Sequence, residues 1–150
     1  MDRPLLYSVE AEEWVLGSLL ADPTAVVRVA NIVAPEDFQL DRHSVIYRAA
    51  LDMYHRDSVI DVVSLIAELQ STKKLEAAGT SDYISHLYAQ VPTGVHAEYY
   101  AQIVAKHSRQ RALLKKSKAI EDLAYEPDVD AAVAKAIGLL IENGRSTMRS

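Results

Sequence analysis

Glu10 and Glu13 lie three residues apart, so on any helix that starts near Ser8 their carboxylates share a face, as acid–base pairs often do. Acids in a first helical turn have a plainer cause, the positive end of the helix dipole. No nucleophile or apolar pocket in the neighbouring sequence would separate the proton affinities of the two carboxyl groups, so catalysis is not expected. The five histidines (His43, His55, His86, His96 and His107) show neither His-x3-His nor Glu-x2-His spacing, and a metal centre would have to be assembled across the fold. A Gly-x4-Gly-Lys-[Ser/Thr] phosphate loop is absent, which excludes a nucleoside triphosphate held in that way. The expectation is a chain that is not itself an enzyme and holds no cofactor.

What chemistry remains is electrostatic and apolar. A net charge of −5 at pH 7 argues against non-specific nucleic-acid binding over the whole surface. The charge is unevenly placed. Residues 1–104 carry seven basic and fifteen acidic side chains, whereas 105–118 carry Lys106, Arg109, Arg111, Lys115, Lys116 and Lys118 and no acid. Lys106, Arg109, Arg111 and Lys115 are therefore candidates for contact with nucleic acid or with an acidic partner. Nucleic acid would want these cations on one side with aromatic platforms, and only Tyr99 and Tyr100 lie near, upstream. A run of this kind is commonly a solvated helix face. Cysteine is absent, so there is no disulfide and no thiolate metal site. No uncharged apolar stretch reaches the ~18 residues of a membrane span, and the chain is expected to be soluble and cytoplasmic.

Helices must carry these side chains. Ser8 can cap a first helix whose opening turn holds Glu10, Glu12 and Glu13 and whose buried stripe is Val9, Leu16, Leu19 and Leu20. Trp14 falls off that stripe, either as an interface residue or covered by a loop. Asp22-Pro23 starts a short second helix through Ala30. Residues Ile32 to Leu40 read as a connector with a turn at Pro35-Glu36-Asp37 and Phe38 as a core plug. A third helix is expected from Asp41 to His55, with Val45, Ile46, Ala49 and Met53 inward. Asp61 caps a fourth carrying Val62, Val63, Leu65, Ile66 and Leu69; Leu75 to Gly79 reads as a short helical turn closed by glycine. Ser81 starts a fifth with Tyr83, Ile84 and Leu87 inward. The β-branched residues around Val59 to Val63 show no lasting alternation, so no strand is expected.

After the break at Val91-Pro92-Thr93 comes the stretch to which the rest is attached, a helical hairpin from Thr93 to Asn143. Thr93 is the expected N-cap, and the first helix runs from Val95 to Ala124, thirty residues extending about 45 Å. Pro127 breaks it and Asp128 caps a second helix, in which Val129, Val133, Ala136, Ile137, Leu140 and Ile141 form one apolar face and Gly144 offers a stop. The chain is read as all-α: a compact helical head (1–90), a long helical hairpin (91–144) with apolar surface left over for a partner, and a tail or linker (145–150).

The segment Ser8-Val9-Glu10-Ala11-Glu12-Glu13-Trp14-Val15-Leu16-Gly17-Ser18-Leu19-Leu20 resembles the S-x-E-A-E-x-x-V-L-G-x-L-L opening of the N-terminal domain of bacterial replicative DNA helicases, the DnaB family. Similar segments follow in the same order: Pro35-Glu36-Asp37-Phe38 with His43 and Ile46-Tyr47, then Ile60 to Leu65, Tyr83-Ile84, Val91-Pro92-Thr93 and Glu98 to Val104. The resemblance covers nearly the whole chain. It departs at Gly79-Thr80, where the family has two glycines, and at Gly94-Val95-His96, where it has Ala-Ala-Asn; histidine bonds a helix start less readily than asparagine.

The resemblance implies hairpins paired between subunits, as a dimer or as a trimer of dimers in a hexameric collar, with primase or a helicase loader docking on head and hairpin. ATP and magnesium would serve only a C-terminal motor that these residues do not contain, so the chain would be a helicase fragment or a stand-alone relative. By position, Ile103, Leu114, Ile120, Val133, Ile137 and Leu140 are the expected subunit interface, and Glu10, Tyr83, Leu114 and Ile120 the expected primase contacts. Two other readings stand beside it: a stand-alone helical module binding single-stranded nucleic acid through 106–118, and a regulator of a host helicase.

Overall fold

Ser8 accepts a hydrogen bond from the Ala11 amide at 3.1 Å, and helix α1 (Val9–Ala21) starts there. The computed structural model describes residues 2–147. α1 is the central element, with Val15, Leu16 and Leu19 almost wholly buried. Gly17 is needed where it stands: a Cβ there would sit 2.3 Å from the Leu87 carbonyl oxygen and 2.7 Å from Val91 Cγ2. The expected second helix splits into a 3-10 turn (Pro23–Ala25), capped by Asp22 through the Thr24 amide at 3.1 Å, and the short helix α2 (Val26–Ala30). Pro35–Asp37 forms another 3-10 turn and Phe38 plugs the core against Tyr47, with ring centroids 4.9 Å apart.

α3 (Asp41–His55) has the expected bounds and inward face, Ile46 and Met53 being buried. α4 (Val62–Ser71) begins with a reciprocal cap, Asp61 Oδ1 accepting from the Ser64 amide at 2.7 Å and Ser64 Oγ from the Asp61 amide at 2.9 Å. Of the apolar residues that α4 carries, Val63 is 77% exposed, because Leu65 and Leu69 set the buried side and Val63 points away from it. Leu75 to Gly79 is a run of turns rather than helix, and α5 (Thr80–Gln90) follows, packed on α1 through Ile84 and Leu87.

Thr93 does not cap the next helix. α6 (Ala97–Leu123) starts behind His96, whose side chain makes no cap bond; Thr93 Oγ1 accepts only from the Val95 amide at 3.4 Å. The chain is still crossing the end of α1 at this point, so close that a Cβ on Gly94 would lie 2.6 Å from Asp22 Cβ, and helical geometry begins once it has cleared that contact. Ala97, Ala101 and Val104, from the first turns of α6, are buried in the core of the head. Trp14 is half-buried and meets Tyr100 edge-on at 5.0 Å, so a helix covers it, not a loop. α6 is thus shared: its first half closes the head and its second half leaves it, over 27 residues and about 40 Å.

Asp128 Oδ1 caps α7 (Val129–Thr147) through the Ala131 amide at 3.1 Å, as expected after Pro127. The helix runs through Gly144, which does not stop it; of the expected tail, residues 148–150 lie outside the described residues. α7 folds back on α6. Every regular element among the described residues is helical, and none of the helices there is long and apolar enough to cross a membrane.

Candidate partner-binding surfaces

The apolar residues of α7 divide between two sides. Ala132 is buried and Ala136 and Leu139 are half-buried, a spacing of four and three that marks the side against α6. The large aliphatics are elsewhere: Val129, Val133, Ile137, Leu140 and Ile141 are each at least 50% exposed. The single face expected from the sequence is therefore two, because α6 is contacted through small side chains and the bulky ones are left facing water. Of the expected interface residues, Val133, Ile137 and Leu140 stand on this open face and Leu114 is 37% exposed. Ile120 is half-buried, and Ile103 is packed against the core of the head.

A buried polar chain lies beneath the head surface. Glu12 on α1, 1% exposed, accepts from the Gln39 amide at 2.7 Å, the Leu40 amide at 3.3 Å and His43 Nδ1 at 2.7 Å. Three donors converging on two oxygens suit an acceptor-only carboxylate. His43 Nε2 meets the Tyr83 hydroxyl, which donates to Glu13 Oε2 at 2.8 Å, while the Arg42 guanidinium covers the Tyr83 ring at 4.5 Å. Burial first, and then the hydrogen bond and charge of Glu13, hold the Tyr83 hydroxyl well above the ordinary tyrosine range. This chain fastens α1, α3 and α5 to one another. Sequence reading took Glu12 only for a first-turn acid. Its position three, four and seven residues before Val15, Leu16 and Leu19 placed it on the buried stripe, and an acid on that stripe is a signal of a buried partner.

Glu10, by contrast, is exposed and Tyr83 half-buried, both at the head surface. The pair Glu10 and Glu13 is not brought together as an acid–base couple in this arrangement, since Glu13 is committed to Tyr83 and lies 3.9 Å from His86 Nε2. No cluster of His, Asp and Glu able to hold a metal occurs among the described residues.

The basic run separates as well. Arg111 donates from Nη1 to the Leu6 carbonyl and from Nη2 to the Asp37 carbonyl, each at 2.7 Å, and Ser108 donates to Asp37 Oδ1 at 2.7 Å. Arg111 therefore pins the N-terminal arm and the 35–38 turn to α6. Lys116 pairs with Glu142 of α7 at 3.4 Å. Lys106, Arg109, Lys115 and Lys118 are exposed.

This architecture has known counterparts. Residues 4–106 match the family model for the DnaB-like helicase N terminal domain. The replicative DNA helicase DnaB of Geobacillus stearothermophilus is 36% identical over 137 residues, covering 90% of this chain and 30% of that protein. The crystal structure of the N-terminal domain of DnaB helicase from Mycobacterium tuberculosis superposes with a TM-score of 0.86 at 31% identity, over 93% of this chain and 99% of that one. A structure of a DnaB-like replicative helicase and its interactions with primase shares the fold, with a TM-score of 0.74 at 24% identity over 91% of this chain and 31% of that one. The chain spans about a third of the length of that Geobacillus relative. With the family model matching well over half of its residues and an all-helical head and hairpin of the same shape, the chain belongs to the DnaB-like helicase N-terminal domain family.

Proposed function

We propose that this domain is an assembly and docking platform for a replicative helicase, in which the open face of α7 joins a second copy and the head receives primase. The observation that carries the first half is the row Val129, Val133, Ile137, Leu140 and Ile141, large aliphatics held out of the domain's own core along nearly four turns of helix. Full burial of such a side chain is favourable by about 1.5–3 kcal/mol and roughly half of that remains to be gained at each, and because a symmetric pairing uses every residue twice the face offsets the cost of association. Sedimentation of the domain at tens of micromolar should give a self-associated species. Ile137→Asp should convert it to monomer with the helix content kept, and a monomeric wild-type domain overturns the reading.

Support for primase is coarser. It comes from the family and from the helicase–primase neighbour, joined to the exposure of Glu10, three residues before the Glu13 that holds Tyr83. Nucleotide hydrolysis, with ATP and magnesium, is assigned on this reading to a part of the helicase other than this domain, and a loader is a second visitor for the same head surface. Glu10→Lys should lower the amount of primase retained by the immobilised domain several-fold while leaving self-association unchanged. Equal retention by the charge-reversed variant removes Glu10 from the contact.

A further inference from the structure

One feature of α6 is explained neither by the core nor by the α7 face. Along α6, Tyr99, Gln102, Lys106 and Arg109 recur at intervals of three and four residues, and Gln110 lies four beyond Lys106, which places all five within about a third of the helix circumference. All five are exposed, Tyr99 at 62%, with its ring edge-on to Tyr100 at 5.6 Å. No acid occurs between Tyr99 and Ile120, and the acid that borders the row, Glu98, is taken up by Arg28 at 2.7 Å. The row is therefore cationic on a chain whose net charge is −5. Lys115 is exposed too, but stands nine residues, two and a half turns, beyond Lys106 and so on the other side; Arg111 is committed to the arm.

We propose that this outer row of α6 is a short track for single-stranded nucleic acid. Lys106 and Arg109, one turn apart, are placed for two phosphates, the Tyr99 face for one base, and the Gln102 and Gln110 amides for base edges or sugar. An acidic polypeptide would use the two cations but would have no need of an exposed ring in line with them. Because the rest of the head is acidic, contact is confined to the row and the footprint is short. The inference goes beyond the assembly reading and does not depend on it, since α7's open face lies on a different helix and the Ile137→Asp domain retains the whole row.

The test is titration of the ¹⁵N-labelled full chain with a short oligo-dT, in parallel with poly-glutamate of equal charge, over a salt series. Amide shifts should be confined to residues near 99–110. Two phosphate contacts on a single strand give a slope of log K against log salt of about −1.4, and Lys106→Ala should bring it to about −0.7. Tyr99→Ala should weaken oligo-dT about five-fold or more. Lys115→Glu should leave binding close to wild type. Shifts centred elsewhere, or a Lys115→Glu loss as large as that of Lys106→Glu, overturn the proposal. So does poly-glutamate binding as tightly as oligo-dT with Tyr99→Ala without effect, which would identify an acidic protein as the partner.

Discussion

Glu12 is a charged residue with 1% exposure, and the head tolerates it because each of its oxygens has a donor. Glu12→Gln puts an NH₂ where two backbone amides and His43 point donors of their own, so at least one donor is left facing another. Breaking a buried pair of this kind costs about 3–5 kcal/mol. The expected result is a large fall in the urea midpoint at unchanged m-value. Tyr83→Phe should cost less, about 1–3 kcal/mol, because it leaves Glu13 Oε2 and His43 Nε2 without their partner at a half-buried site. The order of the two variants is the check: a Tyr83→Phe loss exceeding that of Glu12→Gln would mean that the Tyr83 hydroxyl, not the Glu12 carboxylate, is the main fastening of the polar chain. The Tyr83 hydroxyl is held above its ordinary value of 10.0, so its contribution is complete below pH 10.0 and disappears as pH rises through the higher native value.

At the scale of elements, caps and glycines decide where helices begin and how closely they approach. Asp61 is held below its ordinary value of 3.8, first by the Ser64 amide and then by the Ser64 hydroxyl. Its sign is opposite to that of Tyr83: the contribution is complete above 3.8 and is lost as pH falls through the lower native value. A carboxyl-carbon NMR titration should place the Asp61 midpoint below 3.8, and a midpoint at or above 3.8 would show that the cap does not hold the carboxylate. Most such starts could be read from sequence. Ser8, Asp22, Asp61 and Asp128 cap as expected because an N-cap bond is local, spanning two or three residues. Thr93 has the same chemistry and fails, since the segment after it is held against the end of α1, a contact that involves residues some seventy positions away.

For the whole molecule, the central consequence of the fold is that α6 belongs to both parts. Its first turns are core and its last turns carry α7, so a force or displacement at the hairpin reaches the head through continuous helix, with Arg111 tying in the N-terminal arm as well. Self-association through α7, weakened by Ile137→Asp, is the prediction that belongs at this scale, because it concerns surface that one copy alone leaves uncovered. The contacts proposed at Glu10 on α1 and along the outer row of α6 use residues other than those of the α7 face, so loss of one function should leave the others standing.

The sequence by itself determined the all-α class, most of the helix starts, the break at Pro127 and the family, since helical periodicity, caps and short motifs are encoded within a few residues of one another. It did not determine which side of each long helix is used for what. Lys106 and Arg111 are of one kind and five residues apart, yet one faces water and the other holds the arm; Ala132 and Val133 are adjacent, yet one meets α6 and the other is left open. Those assignments depend on where the head and the returning helix lie around α6, a relation among distant parts of the chain that only the tertiary structure supplies.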